Sequence, residues 1–168
     1  MFKFYFRSLN HKLIDESIDN CMEAAHEAYP DILPDKSDEA VRAWWRRKFE
    51  KIQDEENYLY LEFSFNDEPI GCLYCEKISD DVIDMIGGFW KNVYGSKTFV
   101  FKPDWWTAVT DFAKSEGYKE IWSKPAVGTA SFKMFEYNKN FLEYETKLVV
   151  HDNEPFAEYV IYLTKNKV

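Results

Sequence analysis

The chain has 168 residues, 46% apolar and 18% aromatic, which is the size and the material of one domain with a core of its own and excludes an unfolded chain. Acidic residues number 30 against 21 basic ones, a formal charge of -9, so phosphate repulsion excludes general binding to nucleic acid or to an anionic membrane. Three cysteines, no signal peptide and no long apolar run point to a reducing, cytoplasmic setting without a membrane span.

Phe2, Phe4 and Phe6 alternate with Lys3, Tyr5 and Arg7, the period of a half-buried strand over residues 1–9. From Lys12 the period becomes helical, with Leu13, Ile14, Ile18, Cys21, Met22 and Ala25 recurring until Tyr29-Pro30 ends the helix. Ser37 offers an N-cap and Asp38 and Glu39 suit the positive end of a second helix, whose apolar stripe is Val41, Trp44, Trp45, Phe49 and Ile52. Its run Trp44-Trp45-Arg46-Arg47-Lys48 points in every direction around the helix. It reads first as a solvated face beside a buried one, and only in second place as an anchor for an anionic partner.

Tyr58 to Phe65 sets Leu59, Leu61, Phe63 and Phe65 on one face, Asn66-Asp67-Glu68-Pro69 turns the chain, and Ile70 to Ile78 returns. The turn Ser79-Asp80-Asp81 leads into a further strand from Val82 to about Trp90, so three consecutive antiparallel strands are expected. Cys72 and Cys75 match C-x-x-C. On a strand, however, residues three apart face opposite sides, so the two thiols are expected to share neither a metal nor a disulfide. His11, His26 and His151 show no metal-ligand spacing, and no metal is expected.

Pro103 fits the first position of a helix, Asp104 its positive end, and Trp105, Trp106, Val109, Phe112 and Ala113 form a stripe that Gly117 terminates. A short strand over Lys119 to Trp122, a short helix over residues 129–137 with Thr129 as its cap, and strands over Leu142 to Val150 and Phe156 to Leu163 complete the chain. The turn Asp152-Asn153-Glu154-Pro155 joins the last two. No repeat or linker interrupts it, so residues 1–168 read as a single domain.

The connection "GGFWKNVYGSKTFVFKPDWW", residues 87–106, is rich in Gly and Lys. It is not a P-loop, because Gly95-Ser96-Lys97-Thr98 carries an extra Ser and Trp90 stands where the upstream Gly is needed, and its glycines lack the dinucleotide-binding spacing.

The order of elements, with the stretches "FAKSEGYKEIW" (112–122) and "VGTASFKMFEYNKNF" (127–141), resembles the GNAT superfamily of acyl-CoA N-acyltransferases. There a helix ends at a Gly, a short strand leads to an Asn, and a small helix ends in Gly-Phe before the last hairpin. Within that superfamily "YKEIWSKPAVGTASFKMF" most resembles divergent acetyltransferase-like proteins of tailed phages, some of them virion components. The resemblance implies an α/β (α+β) fold, a mixed and mostly antiparallel sheet of about seven strands flanked by about four helices, with the fourth and fifth strands parallel and splayed. It also implies acetyl-CoA as co-substrate and an amine, on a small molecule or a protein, as acceptor.

The family's run of Gln or Arg, two residues and Gly-x-Gly or Gly-x-Ala leading straight into the third helix is absent. Gly95, Ser96 and Lys97 lie in the corresponding connection, but Phe99-Val100-Phe101 stands between them and Pro103. With Thr129 at the family's Asn position, these are the cofactor-binding candidates. Asn140 replaces the Gly of Gly-Phe, a swap that left-handed backbone geometry tolerates. The family's Tyr acid aligns with Glu136, with Tyr137 beside it.

Amide-forming transfer needs a base for the amine and a proton for the leaving thiolate. Asp84, interrupting the apolar strand, is the candidate base, either desolvated or, as the preferred reading, at the strand's wet edge. Tyr137 is the candidate acid, with packing as the alternative, and Glu62 and Glu76 are lesser base candidates read as surface charges. Two readings of function stay open: an acetyl-CoA-dependent N-acetyltransferase, or a GNAT-like domain that has lost catalysis and serves as a binding or structural protein.

Overall fold

The computed structural model describes residues 2–7, 11–27, 29–53, 56–90, 103–128 and 130–168. In chain order the elements are β1 (Phe2–Arg7), α1 (His11–Asn20), α2 (Met22–Glu27), α3 (Asp38–Gln53), β2 (Tyr58–Phe65) and β3 (Glu68–Lys77), followed by β4 (Val82–Trp90), α4 (Pro103–Ser115), β5 (Glu120–Ser123), α5 (Ala130–Asn138), β6 (Tyr144–Val149) and β7 (Glu158–Asn166). The seven strands make one mixed sheet in the order β1-β2-β3-β4-β5-β7-β6, the α/β architecture expected. β4 and β5 are parallel, as the crossover through α4 requires, while β1/β2, β5/β7 and β6/β7 are antiparallel.

Five helices are present among the described residues where four were expected, because the first one breaks at Cys21. There the Cys21 N–H donates to the Ile18 carbonyl three residues back, at 3.1 Å, a tightened turn that re-aims the chain while the Cys21 side chain stays buried. The other boundaries follow local chemistry. Ser37 caps α3, its Oγ accepting from the Ala40 N–H at 3.2 Å. Gly117, at φ 92°, ends α4, with the Tyr118 N–H on the Ala113 carbonyl at 3.0 Å and the Gly117 N–H on the Lys114 carbonyl at 3.1 Å. Asn66 and Asp67, at φ 50° and 66°, close the β2–β3 hairpin in two residues, so β3 starts at Glu68, earlier than expected. Asn153 is also left-handed, at φ 63°, but Asn140 is not among the left-handed residues, so the Gly-to-Asn swap there rests on ordinary backbone.

The chain forms two compact units, Met1–Cys75 with Gly87–Ser96 and Glu76–Ile86 with Lys97–Val168. Among the described residues the division falls inside β3, between Cys75 and Glu76, and inside β4, between Ile86 and Gly87. In the first unit Ile14, Ile18, Val41, Trp45 and Phe49 pack with Tyr60, Cys72 and Phe89. The Trp45 indole donates to the Ala25 carbonyl at 3.0 Å, and Phe49 meets Tyr60 edge-on at 5.6 Å. Gly88 is required here, since a Cβ on it would lie 2.0 Å from the Cys72 carbonyl oxygen. The basic run of α3 is a solvated face beside this core: Arg47 and Lys48 are exposed, Trp45 is buried, and Arg42 and Arg46 pair with Asp19 and Asp15. Cys72 and Cys75 are both fully buried, on opposite-facing positions of β3, and they are not joined in a disulfide.

In the second unit Trp106 meets Phe135 of α5 at 5.6 Å and Phe135 meets Tyr159 of β7 at 4.6 Å. Ile121, Ile161 and Leu163 are buried on the same sheet face as Tyr159.

Candidate functional site

The parallel ladder of β4 and β5 is short: Val82 faces Glu120, Ile83 faces Ile121 and Asp84 faces Trp122. Past it β4 continues to Trp90 while β5 ends at Ser123, whose Oγ donates to the Met85 carbonyl at 3.4 Å. Strand alternation and register set two faces. Ile83, Ile121, Ile161, Tyr159 and Leu148 share one, and Asp84, Trp122, Val160 and Lys147 form a row across the other.

Asp84 is only 8% exposed. This corrects the preferred expectation of a wet strand edge: β4 lies inside the sheet, with β3 on one side and β5 on the other, and its neighbours exclude water from the carboxylate. Burial raises the Asp84 pKa above the ordinary carboxylate range; Lys124 pulls it back and Glu76 raises it further. Among the described residues no hydrogen-bond donor pairs with it. Glu76, read from sequence as a surface charge, is half-buried, as is Glu62.

On the same face, beside Asp84, Trp122 begins a cleft of about 210 Å³ whose walls include Lys124, Lys147, Glu158, Val160 and Tyr162. Glu158 bonds to His151 at 2.8 Å and its carboxyl is held below the usual range by His151 first, then by Lys124 and Lys147. The Trp122 indole N–H is buried without a hydrogen-bond partner among the described residues.

The sequence did not single out Trp122, Lys124, Lys147, Glu158 or Tyr162. The available signal was the alternation Lys147/Val149 and Glu158/Val160/Tyr162, but the β6–β7 register also depends on an irregularity between Tyr144 and Glu145.

Tyr137 is not brought to Asp84. It stands 52% exposed near the end of α5, its ring 5.7 Å from that of Phe141. Because α5 packs through Phe135 and Asn138 on Tyr159, it covers the sheet face opposite to Asp84. Gly95, Ser96, Lys97 and Thr129 lie outside the described residues. Among the described residues no group of three or more His, Cys, Asp or Glu side chains is arranged to hold a metal ion, and no helix is long and apolar enough to cross a membrane.

No protein-family model and no curated protein sequence matches the chain. Solved structures do. Over 98% of its length the chain is similar to 99% of the PaiA N-acetyltransferase of Thermoplasma acidophilum, solved in complex with coenzyme A, with TM-score 0.56 and 17% identity. Over 96% it is similar to 97% of the Campylobacter jejuni N-acetyltransferase PseH in complex with acetyl coenzyme A, with TM-score 0.55 and 12% identity. Over 96% it is also similar to 87% of apo FdhC, a nucleotide-linked sugar GNAT, with TM-score 0.59 and 14% identity. What is shared at these identities is the fold, which is that of the GNAT acetyltransferases. The likeness adds nothing to the narrower resemblance to tailed-phage proteins.

Proposed function

We propose that the protein is an acyl-CoA-dependent N-acyltransferase that moves an acetyl group from acetyl-CoA to an amine, with Asp84 as the base. The observation that carries this is a buried carboxylate, raised in pKa, on an interior strand at the last residue pair of the parallel ladder, in a fold shared with N-acetyltransferases solved with coenzyme A and acetyl coenzyme A. A base with a raised pKa is nearer to the working pH, where taking a proton from an ammonium is less uphill. Once the amine is neutral, its lone pair attacks the thioester carbonyl, the C–N bond forms, the C–S bond breaks, and the proton that the nitrogen sheds on becoming an amide balances the one taken up by the departing thiolate.

Acetyl-CoA would supply the activated acyl group. The backbone N–H groups of Gly95 and Ser96, the Lys97 ammonium and Thr129 are the proposed contacts, from the sequence, for its pyrophosphate and pantetheine arm. In the described residues the fit rests on the end of the β4–β5 ladder, beyond which the two strands no longer pair residue by residue. Tyr137, on the opposite face, is given no part in this scheme. The proposed setting is the cytoplasm.

Calorimetric titration with acetyl-CoA, followed by a thiol-release assay over a panel of amines, tests the reading. Expected are saturable binding and amine-dependent release of free CoA. Absence of acetyl-CoA binding at millimolar concentration sinks it.

A further inference from the structure

The cleft beside Asp84 has an uneven charge pattern of its own. Glu76, Asp84, Glu120 and Glu145 stand toward β3, β4 and the Tyr162 end, with Glu120 and Glu145 flanking Tyr162 in register. Lys124 and Lys147 stand in the cleft wall, the latter in the same cross-strand row as Asp84, Trp122 and Val160. Of the charged lining residues two are lysines and one is Glu158, itself engaged by His151 at 2.8 Å. In a chain of formal charge -9, this is a local positive spot next to a buried carboxylate. Between Asp84 and Lys147 in that row lie the Trp122 ring and the Val160 side chain, with the Tyr162 ring beside them in the cleft wall.

The geometry points to a zwitterionic acceptor: an amine presented to Asp84, a planar or apolar body over Trp122 and Val160, and a carboxylate at the far end of the row, held by Lys147. This rests on the acyltransferase reading and names its substrate class. The distance supports it. The row from β4 across β5 and β7 to β6 spans three strand spacings, roughly 14 Å between backbones, and the Lys147 stem can shorten that gap by about one spacing. An α-amino acid, whose amine and carboxylate are bonded to one carbon, is too short to meet both ends. A rigid ω-amino acid is long enough. No bond changes at the carboxylate; its role is to orient the amine by charge-assisted hydrogen bonds.

The test uses 4-(aminomethyl)benzoate and benzylamine, identical but for the carboxylate, titrated calorimetrically at low salt into the whole chain and into Lys147→Gln and Lys124→Gln. Both lysines are exposed, and thermal melting checks that each variant keeps the fold. Expected is binding of the carboxylate probe about 10-fold or more tighter than benzylamine, with the preference largely lost in Lys147→Gln and kept in Lys124→Gln, in keeping with hydrogen bonds to a charged group. Equal binding of the two probes, tighter binding of benzylamine, no binding of either, or a preference that survives Lys147→Gln overturns the proposal. Thiol release from acetyl-CoA separates it from the reading beneath it. Carboxylate-selective binding without thiol release keeps the cleft and sinks the transferase. Thiol release that does not distinguish the two amines keeps the transferase and sinks the zwitterion.

Discussion

The two faces of the β5–β7–β6 strands are built from alternate residues of the same short segments, yet they are put to opposite uses. One face is closed: Ile121, Ile161, Tyr159 and Leu163 are at most 2% exposed, and Phe135 and Asn138 of α5 lie against Tyr159. The other is open and charged, with Trp122, Lys124, Lys147, Glu158 and Tyr162 around the cleft. One residue along a strand changes the side, so a strand such as Tyr159-Val160-Ile161-Tyr162 carries packing and recognition at once. Substitutions on the closed face should therefore move stability, and those on the open face should move ligand binding and turnover.

The largest expected effect is on the open side of that divide. Asp84→Asn keeps the shape and removes the base, and amine-dependent thiol release should fall by roughly 10²–10⁴-fold, the range for a general base. Stability should move the other way. The folded pKa of Asp84 lies above its unfolded value, so the native state binds the extra proton and stability declines as pH rises from the ordinary carboxylate pKa through the raised one. The variant should melt higher than wild type above that window, with the gain disappearing in acid. Loss of activity with a lower melting temperature at neutral pH would mean that the carboxylate is structural.

The closed face is tested by Trp106→Ala. Trp106 is fully buried against Phe135, and its truncation should cost about 3–5 kcal/mol by denaturant unfolding. A loss below about 1 kcal/mol would show that this face is not packed as described.

Much of this division was legible beforehand. The bounds of β2 and β4, the start of α4 at Pro103 and its stop at Gly117 follow from local signals: alternation, a fixed proline φ, and a glycine at φ 92°. The burial of Asp84 was not legible: the expected strand order put β4 between neighbours, but a strand's own alternation does not say how far their side chains cover a carboxylate. The cleft was hidden for a related reason. β7 lies between β5 and β6, so Lys124, Lys147 and Glu158 meet only through a sheet order that is not the chain order, and each alone reads as a surface charge. Tyr137 looked like a partner for Asp84 on the strength of its sequence position, but α5 carries it onto the other face.

The smaller effects form a matched pair on one strand. Tyr159 and Tyr162 of β7 face opposite ways, and the same change, Tyr to Phe, removes one hydroxyl from each. The Tyr159 hydroxyl is buried, its pKa pushed well above the ordinary phenol range by that burial, and it donates to Oδ1 of Asn138. Asn138 is fully buried, and its Nδ2 has no partner among the described residues, so Tyr159→Phe strips a hydrogen bond from an amide that cannot replace it with water. About 1–3 kcal/mol should be lost. Tyr162 is half-buried on the open face, and the cation–π contact of its ring with Lys165, at 4.5 Å, survives the loss of the hydroxyl. Tyr162→Phe should therefore change stability by less than about 0.5 kcal/mol, the usual range at a solvent-facing position. Chemical denaturation of both variants at one pH decides it. Equal losses would mean that the two faces are closed alike and that the cleft is filled by protein. A loss at Tyr162 alone would reverse the register between β5 and β7, and with it the placing of Lys147 in the row of Asp84.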